Sequence, residues 1–151
     1  LTKFQLQAGV TLQQSHYSEP HVWNPDAPAV KKMMRTPNTY GYFTATYTPI
    51  KPLSIALSGT YTGSMLVPHE PVPGFLENPI TVNTKDFFDI GLKAAYDFKL
   101  YKSMNLQVNA GVQNIFNAYQ NDFDKGADRD SGYIYGPSLP RSFFAGVKIS
   151  Y

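Results

Sequence analysis

The stretch NLQVNAGVQNIFNAY, residues 105–119, alternates between apolar and polar side chains, and this alternation decides the class of fold. One face of a strand would carry Leu106, Val108, Ala110 and Val112, and the other Gln107, Asn109, Gly111 and Gln113. A period of two residues is the signature of a β-strand. The pattern fits two structures: a soluble sheet whose apolar face points inward, and a membrane barrel whose apolar face points outward.

Five further stretches alternate in the same way, so the sequence predicts six strands. In chain order the other five are residues 2–17, 40–49, 53–65, 86–100 and 141–151. In residues 86–100, for example, Phe88, Ile90 and Leu92 would lie opposite Asp89 and Lys93. No helix of comparable periodicity appears, so we expect an all-β, antiparallel fold.

The connections between the predicted strands alternate in length. The long ones are residues 18–39, 66–85 and 120–140, and the short ones are residues 50–52 and 101–103. An up-and-down meander would place every long loop at one end of the sheet and both short turns at the other. Outer-membrane barrels have this asymmetry, with long extracellular loops and short periplasmic turns.

Composition excludes several classes of protein. A net charge of +2 gives no case for a nucleic-acid partner. No apolar run approaches the roughly 18 residues that a membrane-spanning helix needs. The absence of cysteine removes disulfides and thiol chemistry. A membrane barrel is still allowed, because half of each strand would face a polar lumen.

The polar rows favour the barrel, because they contain mostly Ser, Thr, Gln, Asn and Gly, whereas a soluble surface is rich in Lys, Glu and Asp. Aromatic residues near the strand ends would form two interfacial belts. These are Tyr47, Tyr96, Phe98, Tyr101 and Tyr151 at the short-turn end, and Tyr17, Tyr40, Phe87, Phe88 and Tyr119 at the long-loop end. We therefore predict an up-and-down transmembrane β-barrel. A soluble secreted β-sandwich or lipocalin-like binding module, and a small barrel shared by several copies, are the alternatives.

Six strands are too few to close a membrane barrel, which in bacteria starts at about eight. An open sheet in lipid would leave two edges of unpaired backbone groups, at several kcal/mol per group. The sequence starts at Leu1 without Met or an apolar signal segment. We therefore expect residues 1–151 to be the C-terminal segment of a longer barrel polypeptide, with the earlier strands absent, or else a unit that oligomerises.

The end of the fifth predicted strand carries a family resemblance. Residues 111–120, GVQNIFNAYQ, resemble the V-x-N-(Leu/Ile)-F-(Asp/Asn)-x-x-Y segment near the C-terminus of TonB-dependent outer-membrane transporters. The matching residues are Val112, Asn114, Ile115, Phe116 and Asn117, with Tyr119 displaced by one place. Residues 122–151 are similar to the ends of such receptors from Bacteroidetes-type bacteria.

This resemblance implies a barrel of about 22 strands in the bacterial outer membrane, plugged by an N-terminal domain that is absent here. The implied function is import of a scarce nutrient, such as a siderophore, haem, cobalamin, or a glycan or peptide fragment. The implied partners are outer-membrane lipid and lipopolysaccharide, the plug and remaining strands, the TonB complex and the nutrient ligand.

The last predicted strand matches the outer-membrane insertion signal in part. Gly146, Ile149 and Tyr151 fit the pattern, while Phe144 occupies a position that is usually polar. The alternative is a generic edge strand that ends on an aromatic residue.

Acidic residues concentrate in the loop DFDKGADRD, residues 122–130. Asp122, Asp124, Asp128 and Asp130 offer hard oxygen ligands that could hold calcium. Their spacing does not match an EF-hand, and Lys125 and Arg129 could neutralise them instead. We expect no other cofactor.

Four loop residues are candidates for ligand binding. His21 and His69 could ligate a metal or haem, although a solvated loop histidine is the commoner case. Trp23 and Phe75 could stack on a sugar or an aromatic siderophore. No motif of nucleophilic or metal-dependent catalysis occurs, so an enzyme is not expected.

Overall fold

The computed structural model describes residues 3–101, 103–137 and 139–151, and these residues form ten β-strands and no helix. The strands are β1 Phe4–Leu12, β2 His16–His21, β3 Val30–Lys32, β4 Thr39–Ile50, β5 Leu53–Thr62, β6 Leu66–His69, β7 Ile80–Asn83, β8 Phe87–Lys99, β9 Asn105–Gln113 and β10 Ser142–Ser150. Six of them make one antiparallel sheet in the order β1-β4-β5-β8-β9-β10. The other four form two small hairpins, β2-β3 and β6-β7.

The large sheet consists of the six predicted strands, so the all-β antiparallel prediction is confirmed. The strands β1 and β5 end before their predicted ends, at Leu12 and at Thr62. Beyond those points the chain pairs with itself inside the long connections, as the β2-β3 and β6-β7 hairpins. Thr2, the first residue of the predicted first strand, lies outside the described residues.

The register aligns the predicted apolar rows across the whole sheet. One row that crosses all six strands consists of Leu6, Ala45, Leu57, Leu92, Val112 and Phe143. Because successive side chains point to opposite faces, the neighbouring row with Gln7, Thr44 and Ser58 lies on the other side. The sheet therefore has one apolar face and one polar face.

The two faces have different surroundings. On the apolar face Leu6 is 61%, Leu92 40% and Val147 66% exposed, so these rows do not pack against each other in a dry interior, as a β-sandwich would require. The polar face is covered in part by the last long loop, which reaches it at Pro137 and Pro140. A cavity of about 350 Å³ separates this loop from the polar side chains of β5 and β8.

The described sheet is not closed into a barrel. Its edge strands are β1 and β10, and each pairs with one neighbour, β4 and β9 respectively. The three long loops lie at one end of the sheet, and the β4–β5 and β8–β9 connections lie at the other, as the meander predicts.

The predicted aromatic belt at the long-loop end is wrong for two residues. The pairing Thr11–Tyr40–Thr62–Phe87 puts Tyr40 and Phe87 on the polar face. Phe87 and Phe88 are consecutive in one strand, so only one of them can share a face with the apolar row. The Phe87 ring instead lies near a loop ring, with its centroid 5.8 Å from that of Tyr135.

Two phenylalanine rings lie over glycines of the neighbouring strand. A Cβ atom on Gly59 would lie 2.2 Å from Cε1 of Phe43, and one on Gly111 would lie 2.4 Å from Cζ of Phe144. The Phe144 ring therefore covers Gly111 on the polar face, which gives a packing reason for an aromatic residue where the insertion signal usually has a polar one. Aromatic cover of a strand glycine helps to fix register.

We predict that Gly59→Ala destabilises the sheet by about 1–3 kcal/mol, because the new methyl group must displace the Phe43 ring. Gly91→Ala is the matched control, since the nearest atom to its Cβ would be Ser58 Oγ at 3.1 Å, in a side chain that can rotate away, and the next, the Val112 carbonyl oxygen at 3.4 Å, is at an ordinary contact distance. Chemical denaturation followed by circular dichroism measures both variants. Equal midpoints for the two would contradict the packing of Phe43 on Gly59.

Candidate functional site

The third long loop, residues 114–141, starts from a turn that two asparagines build. Asn114 and Asn117 adopt left-handed φ angles of 50° and 52°, which asparagine tolerates better than most residues. The Asn114 side chain is buried, donates to the carbonyls of Ala118 and Leu139, and accepts from the Ala118 N–H. In residues 113–117, QNIFN, the apolar residues Ile115 and Phe116 are consecutive, and this is where β9 ends and the turn starts.

A buried histidine–aspartate pair joins the third loop to the second, residues 63–86. His69 Nε2 lies 2.8 Å from Asp124 Oδ2, and the two residues are 5% and 8% exposed. The His69 ring stacks on the Tyr133 ring, with centroids 3.8 Å apart and an interplanar angle of 3°. Asp124 Oδ2 also accepts the Asp130 N–H at 3.2 Å. Each partner therefore satisfies the other in a region sheltered from water.

Asp122 is held by two tyrosines of the same loop. Tyr133 donates its hydroxyl to Asp122 Oδ2 at 3.0 Å, and Tyr135 donates to Oδ1. Burial works to raise the pKa of Asp122, but the hydrogen bonds from Tyr135 and Tyr133 outweigh it and lower the pKa. Burial and the Asp122 carboxylate raise the pKa of Tyr133 to about 12 and raise the pKa of Tyr135 further.

Further hydrogen bonds tie all three long loops together. Asp130 accepts the Glu70 N–H at 2.9 Å, and the Glu70 carboxylate accepts from Asn24 of the first loop, residues 13–38, at 2.8 Å. Arg35, also in the first loop, donates to the carbonyls of Gly132 and Ile134. The three connections therefore form one cluster, which we call the loop cluster.

Two cavities flank the segment Phe123–Asp124 of the third loop. The smaller, about 320 Å³, is lined by residues of the third loop, including Tyr119, Arg129 and Tyr133. The larger, about 500 Å³, lies between residues 72–75 of the second loop and residues 122–128 of the third. Both combine aromatic walls with carboxylates, so the loop cluster can accommodate small molecules.

The structure brings some of the predicted site residues together. Phe75, 77% exposed, lines the larger cavity with Asp122, Asp124 and Asp128. His69 lies behind Asp124 and is buried, so the interpretation of His69 as a solvated loop histidine is wrong. Its burial depends on contacts with a loop 55 residues away in sequence, which local pattern does not encode.

The other predicted ligand-binding residues lie apart from these cavities. The centroid of the His21 ring is 4.7 Å from that of Tyr17, a residue of the same strand β2. Trp23 has a buried Nε1 atom that makes no hydrogen bond within the described part of the chain. Neither residue lines the two cavities of the loop cluster.

Calcium binding by the acidic loop stays a prediction. Asp122, Asp124 and Asp130 accept hydrogen bonds from tyrosine, histidine and backbone donors, while Asp128 is exposed. In residues 3–101, 103–137 and 139–151, no three His, Asp or Glu side chains are arranged to hold one metal ion. Tyr133 and Tyr135, which donate to Asp122, are functional candidates that the sequence analysis missed. Their Tyr-x-Tyr spacing was the one feature of the sequence that could have indicated them.

The predicted insertion-signal residues lie at the end of the last strand. Gly146 pairs with Asn109 and Ile149 pairs with Leu106, both on β9. Tyr151 directly follows β10 and is 99% exposed. Their role in membrane insertion stays a prediction.

No family model matches the sequence, and no curated protein is significantly similar to it. Among solved structures, the chain is similar to the ferric-catecholate import receptor Fiu from Escherichia coli K12 in its closed form, with a TM-score of 0.63. The aligned residues are 21% identical and cover 97% of this chain but 19% of that chain. The likeness shows a shared fold, and this chain spans only a small part of the receptor's length. No helix in the described residues is long and apolar enough to span a membrane.

We predict that Asp122→Ala lowers the pKa of Tyr133 and of Tyr135, because it removes the hydrogen bond and the charge of Asp122, while burial keeps both values above the ordinary one. In the unmodified chain, the contribution of Tyr133 to stability is complete below pH 10.0 and is lost as the pH rises through about 12. The contribution of Asp122 is complete above its ordinary pKa of 3.8 and is lost as the pH falls through its lowered value. Ultraviolet titration of tyrosinate in Asp122→Ala should shift both tyrosines toward 10.0.

Asp128→Ala is the control for this titration, because Asp128 is an exposed carboxylate of the same loop. Its tyrosinate curve should overlay that of the unmodified chain. A curve for Asp122→Ala that also overlays it would show that the Asp122–tyrosine bonds do not form.

Proposed function

We propose that this chain forms part of the wall and the ligand-facing loops of an outer-membrane import receptor of the TonB-dependent type. Such a receptor takes up a scarce nutrient across the bacterial outer membrane. The observation that carries the proposal is the two-faced sheet, whose apolar rows are exposed on one side while a loop covers the polar side. The similarity to an import receptor over 97% of the chain supports it at the level of the fold.

An exposed apolar face of this width is unfavourable in water. Monomeric soluble proteins rarely expose a contiguous apolar patch of more than a few hundred Å². Here large side chains from all six strands of the sheet are exposed on one face, among them Leu6, Tyr47, Leu92 and Phe143. In a membrane, lipid would cover this face, and its apolar side chains would no longer be exposed to water.

In lipid, the edges of the sheet need partners as well. The open sides of β1 and β10 carry backbone N–H and C=O groups, and each unpaired group costs several kcal/mol in hydrocarbon. Further strands of a longer barrel, about 22 in the family that the sequence resembles, would pair both edges. The polar face would then line a lumen, where that family places an N-terminal plug.

The loop cluster would lie on the outer side of the membrane, where it could meet the nutrient. Long loops are extracellular in outer-membrane barrels, and short turns are periplasmic. In this arrangement lipopolysaccharide surrounds the wall, and the TonB complex acts on the plug from the periplasm.

The rival proposal, a soluble sandwich or lipocalin-like module, requires the apolar rows to face each other or a closed pocket. The exposure of Leu6, Leu92 and Val147 disfavours it. The absence of enzymatic activity stays a prediction from the sequence.

Site-directed labelling tests the orientation, because the chain contains no cysteine of its own. In intact bacteria that produce the full-length protein, we predict that Glu77→Cys, in an exposed part of the second loop, reacts with a membrane-impermeant maleimide. Lys51→Cys, in the short turn between β4 and β5, should react only after the cells are opened. Labelling of both in intact cells, or of neither, would contradict the proposal.

Charge substitutions test which face contacts lipid. We predict that Leu92→Arg, in the middle of β8 on the apolar face, lowers the free energy of unfolding in lipid by roughly 2–4 kcal/mol. Thr60→Arg is the control on the polar face, where the new side chain would lie opposite Asp89, and it should cost far less. Urea denaturation in lipid vesicles measures both, and equal losses would refute the assignment of the two faces.

A further inference from the structure

The larger cavity of the loop cluster, which we call the Phe75 cavity, has two walls from different loops. Residues 72–75 form one wall, and residues 122–128 form the other. The first wall is fixed at its base, because Val72 is 6% exposed and exchanges backbone hydrogen bonds with Leu76. This tight turn presents Phe75, 77% exposed, at the tip of the second loop.

The charges that line the Phe75 cavity are mainly negative. Asp122, Asp124 and Asp128 contribute three carboxylates, and Lys125 contributes one ammonium group. Asp122 stays ionised near neutral pH because Tyr133 and Tyr135 donate to its carboxylate. An anionic ligand would therefore meet net repulsion in this cavity.

Asp124 is the carboxylate best placed to bind a donor. It is 8% exposed, and both donors to its side chain, His69 Nε2 and the Asp130 N–H, reach the same oxygen, Oδ2. Its other oxygen, Oδ1, receives neither of them. Among the described residues, the Trp23 Nε1 atom is the buried side-chain atom that lacks a hydrogen-bond partner, so Asp124 Oδ1 is not sealed from solvent. An accessible carboxylate oxygen without a protein donor can accept a hydrogen bond from a charged N–H group.

The aromatic wall of the cavity already holds a cation. Nζ of Lys125 lies 5.8 Å from the centroid of the Phe123 ring. The face of an aromatic ring attracts ammonium groups, and aromatic side chains beside carboxylates are a recurring means of binding them. The lysine side chain has a flexible four-carbon stem, so the Lys125 ammonium can move away and a ligand can take its place at the Phe123 ring.

We infer that the Phe75 cavity binds a ligand through a cationic amino group carried on an aromatic or other apolar body. The amino group donates to Asp124 Oδ1 and takes the place of the Lys125 ammonium at the Phe123 ring, and the apolar body packs against Phe75. This inference rests on the proposed function: the amine is a nutrient only if the chain belongs to an import receptor.

Three probes that share one apolar body and differ in charge test the inference: phenethylamine, phenethyl alcohol and phenylacetate. Calorimetric titration of the purified full-length protein should show that the amine binds about tenfold or more tightly than the alcohol, with phenylacetate weaker still. Added salt should weaken binding of the amine and leave the alcohol unchanged. Equal binding of the three, tighter binding of phenylacetate, or no binding of the amine would overturn the inference.

Matched variants locate the site. Asp124→Asn keeps an acceptor for His69 but should abolish the preference for the amine, whereas Asp97→Asn, a carboxylate in β8 near the short turns, should keep it. Lys125→Met removes the competing ammonium and should tighten amine binding severalfold, which decides the matter if Asp124→Asn fails to fold. Unchanged affinity in both Asp124→Asn and Lys125→Met would overturn the inference.

This result is separable from the proposed function. Loss of the amine preference with cysteine labelling as expected would reject the ligand class and leave the receptor in place. Amine binding by a protein whose two cysteine variants label alike would keep the site and reject the membrane orientation.

Discussion

The whole structure depends on one constraint: strands with a side-chain period of two are paired in a register that keeps like faces together. Because each strand alternates strictly, a slip of one residue in any strand would move its apolar row to the polar face. The row from Leu6 to Phe143 crosses six strands without such a slip. Phe43 over Gly59 and Phe144 over Gly111 strengthen the register, since each ring needs a residue without a Cβ beneath it.

This constraint leaves the sheet without a core of its own. The buried apolar residues of the described chain are Leu66, Val67, Val72 and Tyr133, and all four lie in the long connections. They lie in the same two loops as the His69–Asp124 pair, and Tyr133 stacks on the His69 ring. Because burial costs such a pair its solvation, its hydrogen bonds must be satisfied within the loops. The loops at one end of the sheet are therefore the part of the described chain that is packed like the interior of a soluble protein, while the sheet resembles a wall with an uncovered apolar side.

Alternation along the sequence was sufficient to predict the six strands, their order in the meander and the composition of both faces. It could not predict where β1 and β5 end, because alternation continues into residues that pair with other partners in the β2-β3 and β6-β7 hairpins. The alternation of Phe88, Ile90 and Leu92 was sufficient to put Phe87 on the polar face, so the predicted belt that contained both phenylalanines contradicted the period of its own strand.

The loop cluster was predictable only in its residue types. The acidic residues from Asp122 to Asp130 and the ring of Phe75 were candidates from composition, but their partners come from distant parts of the chain. His69 shows the difficulty, because a histidine in a Pro-rich loop has the local sequence of an exposed residue. Its burial depends on Asp124 and Tyr133, which reach it only when the third loop folds back over the polar face.

The division between wall and loops bears on how the proposed receptor could change its ligand. On the sheet, any apolar side chain of suitable size can replace another on the apolar face, because the hydrophobic effect is non-directional. In the loop cluster, hydrogen bonds such as Arg35 to the Gly132 carbonyl and Glu70 N–H to Asp130 are directional and tie three loops together. Residues at the cavity surface, such as Phe75 and Lys125, make few of these bonds. They can therefore vary without loosening the cluster, so that ligand choice can change while the fold of the loops and the wall beneath them stays the same.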